Sequence, residues 1–351
     1  MDLTYYIDCE RMKYPNTGLC KFCEHLGWSL IKEKEVNEDL TFYTSSKEIN
    51  YFGNNVKYLK QSNLHKLFFP KIPINAVWHA TFQETEYFPH KWKSPLVLTI
   101  HDINFMHSDE KSRFKRKYLI NQLTKKIKRA NCVVFISEFV KNNVLEYINL
   151  DSKFYSVIYN GCNIDHDLLI IPPKLKPQSE FLFTVSSISP KKNIHVLPSL
   201  LVNNNYYLVI AGNSHDKNYL ELIVQEARKS KVENRLIFTG PISENDKNWY
   251  LKNCKAFLFP SLTEGFGMPV VEAMAYGKPL FLSNKTSLPE IGADVAFYFN
   301  SFEPKDMQSV FESGLQQYSS LNLSNSIKAS AKRFDWSNTA KEYLNIYRSI
   351  H

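Results

Sequence analysis

Residues 255–277 read KAFLFPSLTEGFGMPVVEAMAYG, and the stretch divides itself into strand, loop and helix. KAFLFP is a short apolar run of strand type. Ser261 to Gly267 form a loop with two glycines. Pro269 suits the first turn of a helix, where its fixed φ and missing N–H do no harm. Gly277 stops that helix, and Pro279 keeps it from resuming. The chain holds only 11 glycines in 351 residues. Two of them at Gly265 and Gly267 mark a place where backbone approaches a ligand closely.

This geometry has chemical consequences. Backbone N–H groups at a helix start, here near Val270 and Val271, make an anion site. Glu264 lies in the loop and Glu272 in the first turn of the helix. One carboxylate can address one end of a ligand and the other the opposite end, with a phosphate between them on the helix terminus. A sugar nucleotide has that layout.

Outward from this unit the same alternation repeats. Strand candidates are 3–8, 40–45, 76–79, 96–102, 132–137 and 155–161, then 181–187, 206–212, 235–240, 255–260, 279–283 and 296–299. Helical stretches fall between them, at 17–28 after a turn at Asn16, Thr17 and Gly18, and at 110–130, 138–148, 192–203, 216–230, 244–253 and 269–277. Pro198 should kink or shorten the helix at 192–203. Apolar strands alternating with helices call for parallel sheets covered on both faces. The proline-rich IIPPKLKPQSE interrupts the series and reads as a linker. The expected class is α/β with two Rossmann-like domains, residues 1–168 and 181–333, joined by a linker at 169–180. Residues 334–351 close the chain with a helix expected to cross back to the first domain. Ligands would sit in the crevice beyond the carboxyl ends of the strands.

Composition narrows the class further. Hydrophobic residues make 44% and charged residues 22%, which excludes a disordered or fibrous chain. No apolar run approaches the ~18 residues of a membrane helix, and MDLTYYIDCERMK has no cleavable-signal pattern. A cytoplasmic protein is expected. Six scattered cysteines, with a lone CxxC at Cys20 and Cys23, read as reduced thiols rather than a zinc site. The net charge of +8 is local: residues 111 to 129, from Lys111 to Arg129, carry nine Lys or Arg and no acid. No nucleic-acid motif accompanies it.

The string from Glu264 to Glu272 resembles the E-x7-E motif of the retaining glycosyltransferases of family 4, which have the GT-B fold. The resemblance extends through residues 273–279 and 288–292, through VSSISPKKN at 185–193, and through Gly212 and Gly240. Weaker matches are His101-Asp102, Ile136 to Glu138, Tyr159 to Gly161 and the Phe334-Asp335-Trp336 start of the closing helix. It implies two Rossmann-like domains facing each other across a cleft. It also implies that Glu264 and the amides of Gly265, Phe266, Gly267 and Met268 hold the hydroxyls of the transferred sugar, and that Glu272 holds the ribose. Lys192 would neutralise the leaving diphosphate, Gly240 would line the base pocket, and His101 would face the sugar. Gly18 would let the first loop approach the diphosphate or acceptor. Relatives often carry arginine where this chain has Ser187; Lys191 is its candidate replacement. His79, at the end of AVWH, is a weaker candidate on the acceptor side.

The resemblance implies a retaining transfer of a hexose, with mannose from GDP-mannose as the best match. The acceptor would be a glycan or lipid-linked saccharide of surface polysaccharide or lipopolysaccharide O-antigen synthesis. A helix N-terminus with Lys192 can stabilise the leaving diphosphate without a metal ion, so no cofactor is expected. The basic segment 111–129 is either a solvated helix face or a patch for anionic lipid at the inner face of the cytoplasmic membrane. Two other classes fit the fold: a GT-B nucleotide-sugar epimerase, and a non-catalytic nucleotide- or glycan-binding module.

Overall fold

A computed structural model describes residues 3–15, 17–107, 111–150, 153–162, 170–214 and 216–351. Asn16 of the expected turn, the boundary at 168 and 169, His166 and His215 lie outside the described residues. The chain forms two compact units, Met1–Gly161 with Phe334–His351, and Cys162–Arg333.

In the first unit the strands are β1 (Leu3–Asp8), β2 (Glu38–Thr44), β3 (Lys57–Lys60), β4 (Val77–Ala80), β5 (Leu96–Ile100), β6 (Cys132–Phe135) and β7 (Phe154–Val157). The sheet order is β3-β2-β1-β4-β5-β6-β7, and every pair is parallel. Tyr5 stands opposite Leu40 on one side and Val77 on the other. Helices α1 (Gly18–Glu33), α2 (Arg113–Arg129) and α3 (Glu138–Leu145) connect the strands. Each starts on a hydroxyl cap, at Thr17, Ser112 and Ser137, whose side chain accepts an orphan amide of the first turn. Four strands, β4, β5, β6 and nearly all of β2, are buried residue after residue, as a sheet covered on both faces requires. The closing helix, Trp336–Ile350, packs on α1. Its Arg348 pairs with the buried Glu38 at 2.7 and 2.9 Å.

In the second unit β8 (Phe181–Val185), β9 (Tyr207–Ala211), β10 (Leu236–Gly240), β11 (Ala256–Phe259), β12 (Leu280–Ser283) and β13 (Phe297–Phe299) form a parallel sheet in the order β10-β9-β8-β11-β12-β13. Helices α4 (Lys217–Lys229), α5 (Glu244–Asn253), α6 (Met268–Ala275), α7 (Leu288–Gly292), α8 (Pro304–Ser320) and α9 (Ser324–Ala331) surround it. Leu182, Leu208, Ile210, Leu258, Phe281, Ile223 and Phe311 make its core. The helix expected at 192–203 is instead a 3-10 helix, Ile194–Leu201. Pro198 within it has no N–H to give an α-helical ladder. Residues 170–180 hold no helix or strand but are not loose: Ile171 exchanges two hydrogen bonds with Asn245 of α5, at 3.1 and 2.8 Å.

The strand order reverses between β1 and β4 in the first unit and between β8 and β11 in the second. Loops leaving such a pair diverge to opposite faces and leave room for a ligand.

Candidate functional site

The second unit's reversal point carries both halves of the site. The loop after β8 brings Lys192, and the loop after β11 brings Glu264. Their side chains form an ion pair, each with 13% of its surface exposed. The ammonium also lies 5.4 Å from the centre of the Phe259 ring. Hydroxyls and backbone fasten the two loops. Leu262 N donates to Lys191 O at 2.8 Å. Glu264 N donates to Thr286 Oγ1 at 3.0 Å, and Ser287 Oγ donates to Glu264 O at 3.1 Å and Phe266 O at 3.0 Å. Gly267 turns the chain into α6 with φ of 103°, a left-handed conformation that side chains rarely adopt.

Glu272 is the fifth residue of α6, so it lies in the second turn and not in the first as the sequence suggested; it meets Lys247 of α5 at 2.7 Å, and Lys247 also reaches Glu244 at 2.8 Å. Burial works against the ammonium, but the two carboxylates outweigh it and hold Lys247 above the usual lysine range. One further sequence expectation needs correction here. Val270 N donates to Gly267 O at 2.9 Å, so this amide closes the turn and is not an open anion donor. Phe266 is buried, which is compatible with the amide role expected of it. Val271 is also fully buried, Gly265 and Met268 are half-buried, and Ser187 and Lys191 are exposed. Gly240 ends β10, where its carbonyl accepts from Gly212 N at 2.8 Å.

The remaining candidates lie in the first unit. Gly18 opens α1 and is exposed. His101, just past β5, is 8% exposed and stands edge-on to Phe22 at 4.6 Å. Its Nε2–H donates to Thr81 O at 2.8 Å. Burial lowers its pKa to about 4, only partly opposed by that bond. His79 is not an acceptor-side residue. It is fully buried, with Nε2 2.7 Å from Thr99 Oγ1 and Nδ1 2.7 Å from Tyr347 OH. Desolvation, then the nearby His101, brings its pKa to about 3. It ties the closing helix to the sheet. The basic segment also divides. Lys126 is buried and donates to Gln83 O and Thr85 O at 2.8 and 2.6 Å, and Arg129 donates to Ser94 O at 2.7 Å. Arg113, Lys115, Lys117, Lys125 and Lys128 remain exposed, beside Phe114 and Tyr118.

Two family models match this chain in succession: Glycosyltransferase Family 4 over residues 69–166 and Glycosyl transferases group 1 over residues 169–333. The chain belongs to the family 4 glycosyltransferases. The glycosyltransferase is 32% identical over 246 residues to the serotype-specific mannosyltransferase WbdA of Escherichia coli, covering 64% of this chain and 29% of WbdA. It therefore spans under a third of the curated relatives it matches first. It is 23% identical to O-antigen chain mannosyltransferase B of Escherichia coli over 97% of this chain and 98% of that one. A glycosyltransferase structure from Rickettsia africae superposes with a TM-score of 0.77 at 14% identity, over 99% of this chain and 98% of the other. That likeness shows the GT-B fold.

Sequence reasoning missed Lys247, Thr286 and Ser287. Lys247 sits in the polar run ENDKNW and reads as a solvated cation. Thr286 and Ser287 follow β12 at the same sheet end as Glu264, and that position was their only signal.

Proposed function

We propose that this glycosyltransferase moves mannose from GDP-mannose to a saccharide or lipid-linked saccharide acceptor in O-antigen or other surface-polysaccharide synthesis. The reaction would proceed with retention and without a metal ion. The observation that carries the reading is the Lys192–Glu264 pair, held by fastened loops at the sheet's reversal point. The names of the relatives, mannosyltransferases of O-antigen assembly, support the sugar.

In this reading Glu264 and the loop backbone hold the hexose hydroxyls, and Glu272 accepts from the ribose hydroxyls. Gly240 lines the base. The sugar–phosphate bond breaks as the acceptor's hydroxyl oxygen attacks the face the diphosphate leaves, and the hydroxyl proton passes to the departing diphosphate oxygen. Negative charge then collects on the diphosphate, where Lys192 stabilises it. Before donor binds, Lys192 neutralises Glu264; a diphosphate competes for the same ammonium.

Thermal unfolding with GDP, UDP, dTDP and ADP, each with magnesium or with EDTA, tests the reading. A nucleotide at 100 times its dissociation constant adds about 2.7 kcal/mol. GDP is expected to stabilise, with or without EDTA, and GDP-mannose is then expected to yield transferred mannose. No shift with any of the four would sink it.

The exposed part of α2 supports docking on anionic lipid, through Arg113, Lys115, Lys117, Lys125 and Lys128 with Phe114 and Tyr118 as apolar contacts. Each cation near such a surface contributes about 1 kcal/mol. Sedimentation with anionic vesicles should carry the protein down, and neutral vesicles should not. Equal behaviour with both would end that part of the reading.

A further inference from the structure

Glu272 has only 14% of its side chain exposed. A carboxylate so placed stays ionised only where a cation answers it. The answer comes from another helix, 25 residues upstream. Lys247 Nζ lies 2.7 Å from Glu272 Oε1 and 2.8 Å from Glu244 Oε2. Lys247 is itself 15% exposed, whereas Glu244 is 57% exposed. The more exposed Glu244 therefore holds the outer side of the ammonium, and Glu272 takes the inner side. Tyr276, the C-cap that ends the helix of Glu272, and Cys162, at the start of the unit, also feel the charge of this group. Burial first, and then charges that include Glu272, push Tyr276 up to about 12 and the Cys162 thiol higher still. Neither carries positive charge; among the described residues Lys247 is the cation that pairs with Glu272.

The ionisation state decides what Glu272 can recognise. An ionised carboxylate only accepts hydrogen bonds; a protonated one spends an oxygen as a donor. A ribose presents two adjacent hydroxyl donors. We propose that Lys247 is a positioning residue for the nucleotide, keeping Glu272 ionised and turned to accept from the vicinal hydroxyls of a ribose. This rests on the assignment of Glu272 to the ribose made above. Lys247 acts through Glu272 and does not touch the sugar. The neutralised pair differs in kind from Lys192–Glu264, because Lys247 is shared by two carboxylates and is not released to a phosphate.

The test is calorimetric binding of GDP and of 2′,3′-dideoxy-GDP, with UDP and its dideoxy analogue in parallel. The proteins are the parent, Lys247→Met, Lys247→Gln and Lys247→Arg, at about pH 6 and about pH 8. In the parent, removing the hydroxyls is expected to weaken binding about tenfold or more at both pH values, as for loss of hydrogen bonds to a charged group. In Lys247→Met and Lys247→Gln, Glu272 takes up a proton. The ratio between the two ligands should then fall toward one at the lower pH and recover at the higher. Lys247→Arg should keep the parent's ratio. A purely structural role for Lys247 would weaken both ligands alike and leave their ratio unchanged at both pH values, and that result would overturn the proposal. A parent that binds nucleotide but ignores the hydroxyls would instead remove Glu272 from the ribose, and the proposal with it.

Discussion

The two reversal points use their polar residues in opposite ways. At β1 and β4 of the first unit, Asp8 and His79 are turned inward, and burial disfavours the charged form of each. Asp8 accepts from Thr85 Oγ1 at 2.8 Å and Glu10 N at 3.1 Å, and its pKa is raised to about 7. His79 is locked between Thr99 and Tyr347. At β8 and β11 of the second unit, the polar residues are charged, paired and partly open, as in Lys192 with Glu264; Lys247 and Glu272 form a second such pair between α5 and α6. Neutral buried groups specify packing, because any change of state costs the fold. A half-open ion pair can exchange its partner for a ligand at little structural cost. The same topology therefore carries inward-turned, desolvated polar groups in one unit and charged, paired ones in the other.

The sharpest way to break this contrast is to remove one group from each side. Glu264→Gln keeps size and removes the charge. Transfer should drop by about 10² to 10³, the scale of losing a preorganised electrostatic contact in a catalytic site, while the unfolding midpoint changes little. His79→Ala should do the reverse. It leaves two buried hydroxyls without their partner and opens a cavity, a loss of about 2–4 kcal/mol. GDP affinity should be unchanged. Chemical denaturation and calorimetry on both variants check the pair. A loss of nucleotide binding in His79→Ala, at a temperature where it is folded, would move that histidine into the site.

The strands of both sheets were largely legible because fully covered parallel strands are continuous apolar runs. β3 escaped because KYLK is a half-exposed edge strand with lysine at each end, and nothing in it repeats with period two in apolarity. Helices α8 and α9 carry a readable apolar spacing at Met307, Phe311 and Gly314, then Ile327 and Ala331; no strand after β13 drew attention to them. The Glu264 loop was legible because its glycines, proline and acids are neighbours in sequence. Lys247 and Ser287 were not, since their roles arise from partners 25 and 23 residues away in the chain, a carboxylate for Lys247 and a backbone carbonyl for Ser287. His79 misled for a related reason. A histidine at a strand end looks the same in sequence whether a helix 268 residues later covers it or solvent does.

Acid titration sharpens the description of the first unit. Burial lowers His79 and His101 to about 3 and about 4 from 6.5. Below pH 6.5 the unfolded chain takes up two protons that the fold refuses, so their contribution is full above 6.5 and is lost on acidification. Asp8 runs the other way. Burial raises it from 3.8 to about 7, so its contribution is full below 3.8 and is lost as pH rises through about 7. Each group changes stability by about 1.4 kcal/mol per pH unit inside its window. Asp8 thus offsets one of the two histidines between pH 4 and 6.5. Asp8→Asn removes that offset, and the acid-side fall in stability should steepen by about 1.4 kcal/mol per pH unit. Denaturation midpoints across that range measure it; an unchanged slope would mean that Asp8 is ionised in the fold.

The smallest effects compare two glycines placed at matching strand-to-helix turns. Gly267 has φ of 103°, and an added Cβ would lie 3.0 Å from Leu288 Cδ2. Gly267→Ala should cost about 1–2 kcal/mol from backbone strain alone, and it should disturb Glu264 through the loop. Gly18 has no such constraint: an added Cβ meets nothing within 4 Å, and its φ lies outside the left-handed region. Gly18→Ala should therefore leave stability within about 0.5 kcal/mol. That neutrality makes it informative. The fold does not need glycine at position 18, so any rise in the KM for donor or acceptor in Gly18→Ala reports a ligand pressed against that backbone. Kinetics identical to the parent would instead remove Gly18 from the site, and the first unit's loop after β1 would join Asp8 and His79 as scaffold.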